Sequence, residues 1–322
     1  MATPNLKDRF LGCMYGLAIG DALGFPVEFM SLENIKRIFG ENGVQGFNSY
    51  HDAKISYSHP IGSYSDDTQM SLATAQGIIN AKTNKDEEVI QSICNEYVKW
   101  AGSPENDRAP GNTCMAGIAN LKKGMHWEDS GILSGKGCGA AMRTAPIGLV
   151  FYNDIHKLAN IARGASICTH ADKTAASAGI GTAYLVAEVL RGKTPTEILA
   201  DFKEFSGILN PDLQVKIKNL EKSLGEQDST KAMNFLGQGW KGDEALALGL
   251  YCFLKNSKDY RTTVLMGTNT NGDSDSIASI AGAFSGAYNG IRGIPKEWIE
   301  RIENPALLGE TAERLYAKSG RF

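Results

Sequence analysis

Apolar residues return at i, i+3, i+4 and i+7 in one segment of this chain after another, while the alternation of a half-buried strand is nearly absent. Such a chain has to fold as packed helices. The clearest helical stretches run over 68–81 (TQMSLATAQGIINA), 87–100, 155–168, 173–190, 244–253, 276–288 and 305–318. Most of the internal ones carry Ala, Gly and Ser on the apolar face, and small side chains let helix axes come close. The expected packing is therefore tight and layered. With 322 residues, 42% of them hydrophobic, the chain can bury a large core, as one large domain or as two smaller ones.

Four segments between these stretches carry unusual punctuation: 19–26, 108–113, 135–139 and 268–272. Their glycines permit close backbone approach by a ligand, and they read as loops on a helical scaffold, where binding groups usually sit. The polar stretch 203–231 reads as a surface excursion, and no low-complexity tract or internal repeat stands out. A net charge of -3 and a pI of about 6.0 provide no global positive field for a nucleic-acid backbone. Cys13, Cys94, Cys114, Cys138, Cys168 and Cys252 are scattered singly, with no C-x-x-C pair, so neither a zinc knuckle nor a dithiol redox motif is visible. The N-terminus lacks a charged region followed by an apolar one, and no segment reaches the roughly 20 apolar residues of a bilayer span. A cytoplasmic protein without membrane attachment is the expectation.

Two helix starts are acidic in the same way. In Ser65-Asp66-Asp67-Thr68 the serine suits an N-cap and the acids fall in the first turn. Alone, that pattern is explained by capping and by the helix dipole, each worth about 0.5–2 kcal/mol. The second start, Asp273-Ser274-Asp275-Ser276, opens another small-residue helix too apolar for the surface. If the two meet, four carboxylates share a partly buried space, and like charges there raise pKa values or oppose folding unless cations bind. Oxygen donors without interleaved His or Cys select Mg²⁺, Mn²⁺ or Ca²⁺ over zinc. The spacing is not that of an EF-hand loop.

At these residues the chain resembles the ADP-ribosylglycohydrolase family, the group that includes the dinitrogenase reductase-activating glycohydrolase. The resemblance runs through GLAIGDALGFPVEF at 16–29, GSYSDDTQM at 62–70, RAPGNT at 108–113, GCGAAMRTAPIGL at 137–149, THADKTAASAG at 169–179 and GDSDSIASIAGAFSGAYNG at 272–290. It implies an all-α orthogonal multi-helix bundle over 1–322, with two Mg²⁺ or Mn²⁺ ions at the bottom of an ADP-ribose cleft. Matched position by position, the metal ligands would be Ser65, Asp66, Asp67, Asp273, Asp275 and Ser276; Ser65 and Ser276 stand where the family usually has Thr. Glu28 would be the catalytic acid/base. Gly111, Gly137, Cys138, Gly139, Met142 and His170 fall in segments that would bind substrate, with Cys138 where an Asn is common and Lys136 where some members have an aromatic. Asp21 would be structural, holding the glycine-rich turn.

The implied activity is hydrolysis of the bond between ADP-ribose and a modified target, with free ADP-ribose as product, in a monomer. ADP-ribosyl-arginine on protein is the expected substrate, because GDALGFPVEF and SDDTQM are nearer the bacterial arginine-directed members. Selectivity would lie around Glu28 and in the loops near 42–59 and 103–108. Serine-linked, nucleic-acid-linked and small-molecule conjugates stay open, nucleic acid entering only as a modified substrate. So do a two-metal phosphoesterase using the same carboxylates, with histidines drawn from Asp154-x-His156 or His170-x-Asp172, and a non-catalytic relative of the same fold.

Overall fold

The computed structural model describes residues 3–48 and 59–322. Among them lie sixteen α-helices, three short 3-10 turns and no β-strand, with only two isolated bridge pairs, Ile132 with His170 and Gly137 with Lys241. Each periodic stretch is a helix within a few residues of its expected bounds. Thus 68–81 becomes Asp66–Asn80, 244–253 becomes Gly242–Lys255, and 276–288 becomes Ser274–Asn289.

The expected loop at 19–26 is instead the end of a 19-residue helix, Leu6–Gly24, followed by a 3-10 turn at Phe25–Val27. Gly20 and Gly24 make that segment look like a loop, since each costs about 1 kcal/mol in a helix relative to Ala. Packing overrides propensity. Gly12, Gly16, Gly20 and Gly24 lie four apart on one face, against the Ser274–Asn289 helix running the other way. A Cβ would stand 2.1 Å from Gly286 O at Gly12, 2.3 Å from Gly282 O at Gly16, 2.1 Å from Ala278 O at Gly20 and 2.5 Å from Asp275 Cα at Gly24. Gly282 and Gly286 answer from the other side, so no β-carbon fits at any of these six glycines without displacing backbone. The same stretch corrects the expectation about membrane spans: 6–27 is long and apolar enough to cross a bilayer, yet 89% of it is buried inside the protein, as a core helix is.

Around this antiparallel pair pack Asp66–Asn80, Lys173–Leu190, Gly242–Lys255, Tyr260–Thr268 and Pro305–Ser319. The polar stretch 203–231 falls mostly within helices, Pro195–Leu209, Pro211–Ser223 and Ser229–Leu236. They form an outer layer that buries Leu213, Ile217 and Leu220 while leaving charged faces outward. Two further expected loops are partly helical. Asn112–Lys122 begins inside 108–113, and a 3-10 turn, Cys138–Arg143, begins inside 135–139.

Gly16→Ala is expected to lower stability by about 1–3 kcal/mol through overpacking, although alanine is the better helix former. Gly225→Ala, whose Cβ would meet nothing nearer than Lys222 O at 3.6 Å, is expected to stay within about 0.5 kcal/mol. Urea midpoints of the two variants measured side by side check the difference.

Candidate active site

Three chain segments carry acids to one place, and local hydrogen bonding explains how each is held. Asp21, buried on the first helix, accepts from Ser65 N (2.9 Å), Thr68 N (2.9 Å) and Thr68 Oγ1 (2.6 Å), and so caps the Asp66–Asn80 helix from outside. Ser65 is its N-cap, as expected, accepting from Asp67 N at 3.2 Å. Asp273 caps the Ser274–Asn289 helix by accepting from Ser276 N at 3.3 Å, and Asp275 Oδ1 accepts from the same amide at 2.9 Å. Glu28 follows the Phe25–Val27 turn, and Phe29 N donates to Gly272 O (2.7 Å), tying that turn to the second acidic start. As a result carboxylate oxygens of Glu28, Asp273 and Asp275 lie within 4.8 Å of one another.

These residues open on a cleft of about 350 Å³. Its wall contains Glu28, Asp66, Asp67, Asp273, Asp275 and Ser276, together with Gly111, Gly137, Cys138, Gly139, Met142 and His170. Ser65 stands behind the wall, its N–H donating to Asp21 and its Oγ accepting from Asp67 N, which leaves one lone pair of the hydroxyl uncommitted by these two bonds. Among the described residues no Lys or Arg lines the cleft. Burial, reinforced by Asp21, pushes Asp66 up to about 8. Burial likewise lifts Glu28, Asp67 and Asp275 well above the carboxylate range, each further raised by neighbouring acids, and raises Asp273. Asp67 Oδ2 is buried with no hydrogen-bond partner among the described residues. A crowd of hard oxygen donors with an orphaned buried acceptor is what divalent cations fit.

The opposite side of the cleft is neutral. His170 lies beneath the glycine loop, its Nε2 3.1 Å from where a Cβ on Gly139 would be, and its Nδ1 2.9 Å from Thr169 Oγ1. Burial, with Arg143 nearby, lowers its pKa to about 3, so the ring is uncharged at neutral pH. Arg143 is fully buried and donates to Thr169 Oγ1 (2.6 Å) and Ala165 O (2.8 Å), with its guanidinium 4.4 Å from the Tyr97 ring centroid. It anchors the turn that begins at Cys138. Cys138 Sγ donates to Asp273 Oδ2 at 3.1 Å.

Other expectations fall differently. Asp21 holds a helix start rather than a turn. Arg108 is buried, pairing with Glu303 (Nη2 to Oε1, 2.7 Å) and donating to Tyr64 O, so this part of the expected rim braces the fold. The rim segment 49–58, with His51, lies outside the described residues. Asp154 and Asp172 cap helices, and His156 is exposed; among the described histidines only His170 reaches the cleft wall. Sequence reasoning passed over Phe29 and Trp240, whose rings stack in parallel at the mouth with centroids 4.3 Å apart. Both rings are about half exposed, and Phe29 holds φ at 62°. A bulky residue in the left-handed region is uncommon, and such strain clusters at ligand-binding and active sites. No periodicity in the sequence signals a pair 211 positions apart.

A family model described as ADP-ribosylglycohydrolase matches residues 2–321. The chain is 25% identical over 348 residues to the ADP-ribosylhydrolase ARH3 of Mus musculus, covering 97% of this chain and 92% of that protein. It is 26% identical over 306 residues to the ADP-ribosyl-dinitrogen reductase glycohydrolase of Rhodospirillum rubrum, covering 94% and 93%. A solved ADP-ribosylglycohydrolase-related protein complex superposes with a TM-score of 0.74 at 27% identity, covering 98% of this chain and 99% of that one.

Raised carboxyl pKa values make the cation-free protein sensitive to base. Asp66 binds its proton more tightly folded, at about 8, than at its ordinary 3.8. Its contribution to stability is thus fully present below about pH 4 and is lost as pH rises towards about 8. In chelator the melting temperature is expected to be lower at about pH 8 than at about pH 6, and saturating Mg²⁺ should shrink the gap. Thermal melts at fixed ionic strength check this; a gap of equal size with and without Mg²⁺ contradicts it.

Proposed function

The chain belongs to the ADP-ribosylglycohydrolase family, and from that premise we propose that this hydrolase uses two divalent cations, Mg²⁺ or Mn²⁺, to release ADP-ribose from ADP-ribosyl-arginine on proteins. The observation that carries the reading is the convergence of five cleft carboxylates, Glu28, Asp66, Asp67, Asp273 and Asp275, with no basic side chain among the described lining residues. A guanidinium leaving group is cationic and suits such a cleft; the anionic diphosphate then depends on the cations and on backbone N–H groups.

Asp66, Asp67, Asp273, Asp275 and Ser276 would hold the cations, with Ser65 completing the set from the same helix start as Asp66. Bound there, they would supply positive charge that orients the ribose hydroxyls and makes a water acidic near neutral pH. Cleavage breaks the bond from the anomeric carbon to the guanidine nitrogen, through an oxocarbenium-like state, and forms a carbon–oxygen bond to water. Glu28, raised in pKa by burial and then by Asp273 and Asp66, is disposed to carry a proton more readily than an ordinary carboxylate. It would deliver this proton to the departing nitrogen and recover one from the water. Gly111, Gly137, Cys138, Gly139, Met142 and neutral His170 would border the diphosphate and the sugar. Phe29 and Trp240 present flat apolar faces for the adenine at the mouth. Six free cysteines suit a reducing compartment, supporting a cytoplasmic location. We place the activity in a monomer acting as one catalytic unit.

Arginine-, serine- and DNA-linked ADP-ribose incubated in parallel are expected to release free ADP-ribose from the arginine conjugate, with Mg²⁺ or Mn²⁺ and not in EDTA. Release confined to another linkage moves the target; full release in a verified metal-free preparation removes the cations from the reaction.

Glu28→Gln is expected to slow turnover by about 10²–10⁴-fold while ADP-ribose still binds. Asp275→Asn should instead lose most of the cation-induced rise in melting temperature, together with ADP-ribose affinity. Single-turnover rates beside calorimetry of ADP-ribose binding separate the two. Near wild-type hydrolysis by Glu28→Gln would show that Glu28 is not the acid/base.

A further inference from the structure

Cys138 stands among the oxygen donors of the cleft. Its Sγ lies 3.1 Å from Asp273 Oδ2 and 3.5 Å from Ser276 Oγ, and its side chain is half-buried in the wall. Two donors bound to one cation, sulfur at about 2.3 Å and oxygen at about 2.1 Å, stand roughly 3.1–3.6 Å apart when the angle between them is about 90–110°. The observed separations fall in that range. An independent sign of a missing positive charge lies in the same cleft: Asp67 is 3% exposed, and its Oδ2 is buried without a partner among the described residues. Cys114 also reaches the cleft wall, but its Sγ is turned to Arg143, with Nη1 at 3.6 Å.

Sulfur among oxygens changes which ions a site prefers. Oxygen-only sites suit Mg²⁺, Mn²⁺ and Ca²⁺, whereas a thiolate favours softer ions. Resting on the reading of this cleft as a cation site, we propose that Cys138 is a direct ligand. The cluster of Cys138, Asp273 and Ser276 then accepts thiophilic divalent ions such as Zn²⁺, Co²⁺ or Cd²⁺ in addition to Mg²⁺. When such an ion enters, the thiol proton now donated to Asp273 passes to solvent and a sulfur–metal bond replaces it, with no change of oxidation state.

Cd²⁺ is the probe, added to the chelator-stripped full chain while near-ultraviolet absorption and melting temperature are followed together. Wild type should develop a thiolate-to-cadmium charge-transfer band, and Mg²⁺ should raise the melting temperature without one. Cys138→Ser should lose the band and about tenfold or more of its Cd²⁺ affinity relative to its Mg²⁺ affinity. Cd²⁺ that raises the melting temperature without the band, or a band that survives in Cys138→Ser, overturns the proposal and leaves Cys138 as a hydrogen-bond donor to Asp273. The cadmium-113 resonance of the wild-type protein separates sulfur from oxygen ligation even if the variant does not fold. If Mg²⁺, Mn²⁺ and Cd²⁺ all leave the melting temperature unchanged, the cation-site reading falls and this proposal falls with it.

Discussion

Backbone-to-backbone approach between Leu6–Gly24 and Ser274–Asn289 is the contact on which the remaining geometry depends. Glycine every four residues on the first helix meets small residues on the second, so the two axes come closer than any side chain allows. Because the helices are antiparallel, the C-terminal end of one finishes level with the N-terminal end of the other. Gly24 abuts Asp275, and the chain leaving Gly24 carries Glu28 to the second acidic start. From the same helix Asp21 reaches across to Ser65 and Thr68 and sets the first acidic start in place. One contact thereby fixes three acidic segments around a single cleft.

The acids are placed where helix physics tolerates them. Asp66, Asp67 and Asp275 sit in first turns, where free N–H groups and the helix dipole favour negative charge. That contribution is too small to offset the burial of so many like charges. Their raised pKa values express the shortfall, and cations are the general remedy. Across the cleft the surroundings are neutral, with His170 uncharged and the Arg143 charge kept beneath the Cys138–Arg143 turn by Thr169, Ala165 and the Tyr97 ring. One wall is therefore acidic and the other neutral.

Two features at the mouth and wall come from residues far apart in the chain. Phe29, strained into positive φ, meets Trp240 in a parallel stack. Cys138, on a turn anchored by Arg143, meets the cap of another helix at Asp273. Neither pairing adds much to the core, and both face the space where a ligand would lie.

Local patterning accounts for what could be read from the chain alone. Helical periodicity marked the seven principal helices, and Ser or Asp before a run of small apolar residues marked both acidic starts, because caps and amphipathic faces are properties of a few neighbouring residues. The six matched segments named the family and its hydrolase chemistry. Local patterning also misled: Gly20 and Gly24 suggested a loop at 19–26, since their helix cost is local while the packing that offsets it comes from residues 278 and 275. Arg108 looked like part of a rim and is a buried partner of Glu303. Only the tertiary structure could decide that Glu28, Asp273 and Asp275 share one space, that Ser65 stands behind the wall, that Cys138 meets Asp273, and that Phe29 and Trp240 stack at the cleft mouth. Those facts depend on how closely helices distant in sequence can approach, and no short stretch of sequence encodes that distance.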